Sequence, residues 1–169
     1  RQYCGHLGKT ENCQVAVSLT LATEEASLPL NYRLYLPQEW TRNKKRCRAA
    51  GVPQTVGFVT KGEIAWAQIE AALAAGVPRG PILMDAGYGN EAAMRDRLSA
   101  RQLSYAVGVR SGTKVWWAEH QPAAVAGQQP RGRTRTRVRR TARHQPISVA
   151  DLARALPAAS WHSVEWREG

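Results

Sequence analysis

Pro81-Ile82-Leu83-Met84-Asp85-Ala86-Gly87-Tyr88-Gly89-Asn90 is the stretch on which the fold of this chain turns. The short apolar run Ile82-Leu83-Met84 ends on a carboxylate, and a Gly-Tyr-Gly sequence follows one residue later. A buried strand of an open α/β sheet delivers its last residue to the carboxyl edge, where such sheets bind their ligands. The chain has three aspartates, and Asp96 and Asp151 lie in polar, helix-like surroundings where a solvated or capping carboxylate is ordinary. Asp85 alone follows an apolar strand. Two readings of it stand: a functional acid at a strand end, or a turn-forming Asp that bonds its own backbone ahead of Gly87.

Working outward, residues 61–75 carry Ile64, Ala67, Ile69, Ala71, Ala72 and Leu73 on a broad apolar face, and Gly76 with Pro78 closes the segment. This predicts a helix crossing one face of the sheet. Downstream, residues 91–100 predict a second helix with Ala92, Met94 and Leu98 inward and acids in its first turn, where the dipole favours them. Residues 104–109 then read as another apolar strand. Upstream, residues 12–22 alternate with Val15, Val17, Leu19 and Leu21 in phase, and residues 30–36 with Leu30, Tyr32, Leu34 and Leu36 in phase. Two such strands joined by the polar Glu24-Glu25-Ala26-Ser27 predict a half-buried antiparallel hairpin. The order is hairpin, helix, strand, helix, strand: an α/β arrangement in which a hairpin precedes a βαβ unit.

The flanks differ in texture. Residues 42–48 form a dense cationic stretch, read as a solvated loop or short exposed helix in preference to a specific phosphate contact. Residues 114–118 suggest a short strand carrying Trp116 and Trp117, whose rings we expect in packing before base stacking. Residues 121–132, rich in Pro, Gly, Ala and Gln, read as linker or extended arm. Residues 131–143 alternate arginine with small residues, and their mutual repulsion should hold the free segment open. Ser148 with Asp151 predicts a capped short helix running to Leu156, and residues 161–166 predict a last strand.

A formal net charge of +11 on 169 residues favours a polyanionic partner, and nucleic acid before anionic membrane, since no basic amphipathic helix with a Trp/Leu face is evident. Seven of the 24 basic residues, Arg131, Arg133, Arg135, Arg137, Arg139, Arg140 and Arg143, fall within thirteen positions. Arginine forks grip phosphates without reading sequence, so these are the candidate DNA-contacting residues. Cys4, Cys13 and Cys47 are an odd set without CxxC spacing, which argues for reduced thiols and against a disulfide framework; Cys4, His6 and Cys13 match no zinc pattern. With no membrane-length apolar run and no signal-peptide architecture, the expectation is a soluble intracellular protein. The chain starts without Met and stops at Trp166-Arg167-Glu168-Gly169, which suggests a piece of a longer protein.

One strand-borne acid limits the chemistry. A haloacid-dehalogenase-type phosphotransferase needs a second Asp where Gly87 stands, and a dinucleotide site needs three glycines and a further acid. None of His6, His120, His144 and His162 sits beside a G-x-S-x-G elbow. Metal chemistry on a basic protein remains: a strand-end carboxylate is a good Mg²⁺ ligand, and ion pairs about 3.5–4 Å apart drive in-line attack on phosphodiesters. Such a pair needs further carboxylates beside Asp85.

Several segments carry a resemblance: Arg1-Gln2-Tyr3-Cys4-Gly5, Lys9-Thr10-Glu11-Asn12-Cys13-Gln14-Val15-Ala16-Val17-Ser18-Leu19, Tyr32-Arg33-Leu34-Tyr35-Leu36-Pro37, Ala75-Gly76-Val77-Pro78-Arg79-Gly80 and Asp85-Ala86-Gly87-Tyr88-Gly89. In this order they resemble the central part of a bacterial insertion-sequence transposase of the DDE superfamily, in the insertion sequence 701 group. The resemblance implies an incomplete ribonuclease H-like fold over residues 1–110, followed by a β-rich, Arg-rich insertion over residues 111–169 with a basic arm at 131–143. It matches Asp85 to the second catalytic, metal-ligating acid, and places the first acid on a strand before residue 1 and the third, a Glu, on a helix after residue 169. It further implies Mg²⁺ or Mn²⁺ in the complete enzyme, DNA at element ends and target as substrate, homo-oligomers of the full-length protein, and a cytoplasmic, nucleoid-associated location in bacteria. The expected chemistry is metal-assisted transesterification that cuts and joins DNA, with the piece alone inactive. The alternative is a non-catalytic basic nucleic-acid-binding protein from a decayed gene.

Overall fold

The computed structural model describes residues 1–117 and 145–163. The chain divides into two compact units, Arg1–Val107 and Gly108–Gly169.

The first unit opens with β1 (Gln2–Cys4) paired antiparallel to β2 (Lys9–Glu11). This small hairpin is absent from the sequence reading, because three-residue strands of mixed polarity carry no readable period. Gln2 Nε2 donates to the Cys13 carbonyl (3.1 Å) and ties it to the chain that follows. All three cysteines are free thiols.

Next come β3 (Val15–Ala22) and β4 (Ser27–Tyr35), the expected antiparallel hairpin. Its phase differs from expectation. Leu19 pairs with Asn31 but Thr20 pairs with Pro29, so Leu30 is an extra, bulged residue. Past the bulge, Val17 stands opposite Arg33 and Val15 opposite Tyr35. Tyr32 and Leu34 therefore share the other face, with Ser18 and Ala16, and both are exposed. A period of two says which side chains share a face, and the bulge decides which face that is.

Two short helices follow, α1 (Gln38–Arg42) and α2 (Lys44–Ala49). Asn43 caps the second, its Oδ1 accepting from Arg46 N at 2.9 Å. Then α3 (Lys61–Ala74) starts in a reciprocal capping box: Thr60 Oγ1 accepts from Glu63 N (3.2 Å) and Glu63 Oε2 accepts from Thr60 N (2.9 Å). Helix α3 packs on β3 and β4, and buried Gln68 donates to the Val17 carbonyl at 3.0 Å. Gly76, at φ +78°, ends it with its N–H on Leu73 O, while Val77 N reaches Ala72 O.

The chain continues as β5 (Ile82–Met84), the single turn α4 (Ala86–Gly89), α5 (Ala92–Ala100) and β6 (Tyr105–Val107). β5 and β6 pair in parallel, Ile82 with Tyr105 and Met84 with Val107. The core lies here: Ile69, Met94, Leu98 and Leu103 are buried together, with Leu19, Trp66, Ile82, Met84 and Tyr105 packed against them. One expectation is corrected. Glu91 is the N-cap of α5 and Asp96 lies mid-helix, so no acid occupies its first turn. The described sheets are each two-stranded, and the hairpin is not hydrogen-bonded to the parallel pair in one sheet. The described architecture is mixed α/β with small sheets and six α-helices.

In the second unit β7 (Lys114–Val115) pairs antiparallel with β8 (Ile147–Ser148). Helix α6 (Val149–Ala155) begins as expected, Ser148 Oγ accepting from Asp151 N (3.0 Å) and donating to Asp151 Oδ2 (2.5 Å). Trp116 and Trp117 follow β7 instead of lying on it, and both are half-buried. Trp161 comes after a 3-10 turn at Ala158–Ser160, so residues 161–163 are not the strand expected. Residues 121–132, the arginine run 131–143 and residues 164–166 lie outside the described residues.

Candidate active site

Asp85 is the first residue beyond β5, and because Met84 pairs with Val107, it stands where the two parallel strands end together. Its backbone is extended (φ −75°, ψ 177°) and α4 starts at the next residue. The Asp85 carbonyl accepts from Gly89 N at 2.8 Å, and its carboxylate Oδ1 accepts from Gly87 N at 2.7 Å. Asp85 thus follows the strand directly, as both readings from sequence place it, and makes the backbone bond of the turn-forming one. Only one carboxylate oxygen is used in that bond. Oδ2 has no hydrogen bond within the described residues, and the residue is exposed. Gly87 makes the geometry feasible, since a Cβ there would sit 2.9 Å from Asp85 Oδ1.

Three neighbours do not stand out in the sequence. Tyr88 is half-buried on α4, and its phenol is pushed above the ordinary tyrosine value, first by burial and then by the negative charges of Asp85 and Glu91. A phenol so placed keeps its proton and serves as a donor. The Glu91 carboxylate reaches back to α3, where it lies so close over buried Gly62 that any Cβ there would displace it. Arg95 donates to the Gly89 carbonyl and locks the end of α4 to α5. A signal for Tyr88 is nevertheless present: it follows Asp85 by three, the interval between a helix cap and the first turn's far side. It is masked by Gly87 and Gly89, which argue for a turn in place of a helix.

The arrangement is an open carboxylate oxygen at the carboxyl end of a parallel strand pair, with a protonated phenol that lies within the field of Asp85 and of Glu91. It can accept a cation or a hydrogen-bond donor. Among the described residues, however, no group of three or more His, Cys, Asp or Glu side chains could hold a metal ion together. Asp85 fits as a single ligand, and a complete centre is not assembled by what is described. The residues predicted to contact DNA, Arg131, Arg133, Arg135, Arg137, Arg139, Arg140 and Arg143, all lie outside the described residues.

No helix among the described residues is long and apolar enough to cross a membrane. Comparison with curated proteins and with solved structures returns no match. A protein-family comparison does: the family described as DDE superfamily endonuclease matches residues 1–169. That match takes in the strand ending at Asp85, the hairpin and helix before it and both units, and the chain belongs to the DDE superfamily endonuclease family.

Proposed function

We propose that this chain is the central part of the catalytic domain of a DDE transposase of the insertion sequence 701 group, built on a ribonuclease H-like plan, with residues 1–110 as partial core and 111–169 as insertion. Family membership carries the coarse statement, since DDE superfamily endonucleases cut DNA and generally use divalent metals. The observation that carries the finer one is Asp85, exposed at the shared carboxyl end of β5 and β6 with one oxygen open. In this reading Asp85 is one ligand to Mg²⁺ or Mn²⁺, and the remaining carboxylates come from outside the described residues. Arg131, Arg133, Arg135, Arg137, Arg139, Arg140 and Arg143 grip phosphates of element ends and target, and copies of the full-length protein assemble on that DNA. The chain alone does not nick or join DNA, because in-line displacement needs both reacting oxygens stabilised by ions held at fixed separation.

Mn²⁺ serves as the test. Titrated at millimolar concentration into the isotope-labelled chain, it is expected to broaden the amide signals of Ala86 to Gly89 and to leave them sharp in Asp85→Ala. A plasmid-nicking assay beside it is expected to show no metal-dependent cleavage by either protein. Equal broadening in both proteins would remove Asp85 as a ligand, and nicking by the parent chain would show that a complete site is present. A non-catalytic DNA-binding protein would keep the charge and show neither effect.

A further inference from the structure

Helices α1 and α2 and the segment after them hold a concentration of charge that the fold leaves uncompensated. Residues 38–60 contain Arg42, Lys44, Lys45, Arg46 and Arg48 against a single acid, Glu39. The sequence reads here as a solvated loop or short exposed helix, but the backbone is anchored. Thr41 and Cys47 are buried, Cys47 Sγ donates to the Trp40 carbonyl at 3.1 Å, and Val52 N donates to the Cys47 carbonyl at 2.9 Å. The cations are therefore carried on a fixed frame.

Their arrangement is unfavourable without a partner. Lys44 and Arg48 are four apart and Lys45 and Arg48 three apart on α2, so like charges face each other along one side. Two lysines occupy the first turn of that helix, where the dipole disfavours cations, and no acid is there to offset them. Among the described residues none of Arg42, Lys44, Lys45 and Arg48 forms an ion pair. Lys44 and Arg48 line a cavity of about 320 Å³ whose other walls are Cys47, Val52, Pro53, Gln54 and Val56, with no carboxylate among them. Arg46 is held differently: its guanidinium lies over the Trp40 ring, 3.8 Å from the centroid, a stack that uses the face of the fork and keeps its N–H edge for an acceptor.

We propose that α1–α2 is a second contact surface for the DNA phosphate backbone, lying on the first unit and independent of the arginine run. Lys44, Lys45 and Arg48 neutralise phosphates, and Arg46, pre-oriented on Trp40, adds a bidentate fork. A row of phosphates relieves the repulsion that the fold leaves in place. Point charges and forks of this kind position a duplex without reading its bases, so the surface has no sequence preference. The inference rests on the reading of the chain as one that acts on DNA.

Fluorescence anisotropy of a labelled random-sequence duplex with the full 169-residue chain tests it, with potassium chloride varied from about 50 to about 200 mM. In Lys44→Gln/Lys45→Gln/Arg48→Gln, the log–log salt slope is expected to fall by about 2 to 3, at about 0.9 for each phosphate that is no longer neutralised. A control, Lys9→Gln/Arg33→Gln/Arg79→Gln, removes the same charge from exposed positions elsewhere on the unit and should change the slope by less than about 1. The charge-conserving Lys44→Arg/Lys45→Arg/Arg48→Lys should keep the parental slope, which separates removal of charge from disruption of the fold. Equal changes in the two neutralised triples, or no change in the first, would overturn the proposal while leaving DNA binding intact. A parent chain that does not bind duplex DNA at all would remove both the proposal and the reading beneath it.

Discussion

The β3–β4 hairpin and the β5–α5–β6 unit are built from similar apolar residues and differ in what covers them. The hairpin strands run eight and nine residues, the parallel strands only three each. Yet the shorter unit holds most of the core through its helix, where Leu98 is 0% exposed, while in the hairpin Leu34 is 58% and Tyr32 70% exposed. Leu83 of β5 is 57% exposed, so β5 is covered on one face only and is not the buried strand that its apolar run predicts. Connectivity explains the difference. A parallel pair has to be joined by a crossover, and the crossover helix brings Met94 and Leu98 down onto Ile82, Met84 and Tyr105. A hairpin needs only a tight turn, here closed by Thr23 Oγ1 accepting from Glu25 and Ala26 N–H, and that turn brings no cover. Cover for the hairpin comes from α3, on one face.

The largest effect should come from the centre of the parallel unit. Leu98→Ala removes a fully buried side chain from a cluster shared by helices and strands, and should cost about 3 kcal/mol, read from the shift in a urea unfolding curve. A loss below about 1 kcal/mol would mean that this cluster is no better packed than the hairpin's outer face.

Next is the start of α3, the element that touches both regions: it packs on β3 and β4 and supplies Ile69 to the core. Thr60→Ala removes one half of the capping box and should cost about 1 kcal/mol. If α3 couples the two regions, tryptophan fluorescence and far-ultraviolet circular dichroism should shift together. Two separated transitions would show that the hairpin melts by itself.

A smaller contribution from the same cap depends on pH. The Glu63 carboxyl is held below the ordinary glutamate value, first by the Thr60 backbone N–H, then by the Thr60 hydroxyl, with the Arg97 charge assisting. A depressed acid stabilises the fold above its unfolded pKa, near about 4.3, and that contribution is lost as pH falls from there through the lowered folded value. Glu63→Gln should therefore narrow the gap to the parent as pH is taken down through that window, with the two proteins converging below it. A gap that stays constant from about pH 6 downward would rule out the cap as its source.

The contrast between the two regions also marks how far the sequence can be read. The hairpin, α3, β5, α5 and β6 are legible in order, because each has a clean period or a clear stop such as Gly76. Asp85 at the end of its strand is legible for the same reason. The face of Tyr32 and Leu34 is not, since a single bulged residue at Leu30 changes which alternate set looks inward. α4 is hidden by its two glycines, and with it the placement of Tyr88 in the field of Asp85 and Glu91. The β1–β2 pair and β8 escape a sequence reading, and β7 is read as longer than it is, because strands of two or three residues rest on pairing partners and not on pattern. The cationic run at 42–48 is legible as charge but not as a surface, because its anchoring depends on Thr41, Cys47 and Trp40, which look ordinary in sequence.

The smallest effect belongs on the outer face of the hairpin, and it decides whether that face is bare. Leu34 stands opposite Ala16 on the side away from Val17, with more than half its surface in water. Leu34→Thr gives up little burial and gains a β-branched side chain suited to a pleated strand. The two changes oppose each other, so unfolding free energy should move by less than about 0.5 kcal/mol, as for surface substitutions generally. Tyr32→Thr, on the same face, should behave alike. A loss of about 2 kcal/mol or more would mean that Leu34 is covered in solution. Repeating the unfolding curves over a wide range of protein concentration then identifies the cover: a midpoint that rises with concentration in the parent and not in Leu34→Thr assigns it to a second copy, because mass action stabilises only the associated state. A concentration-independent loss assigns it to the chain's own residues, and the two-sided contrast between the hairpin and the parallel unit would then be a contrast of packing partners and not of exposure.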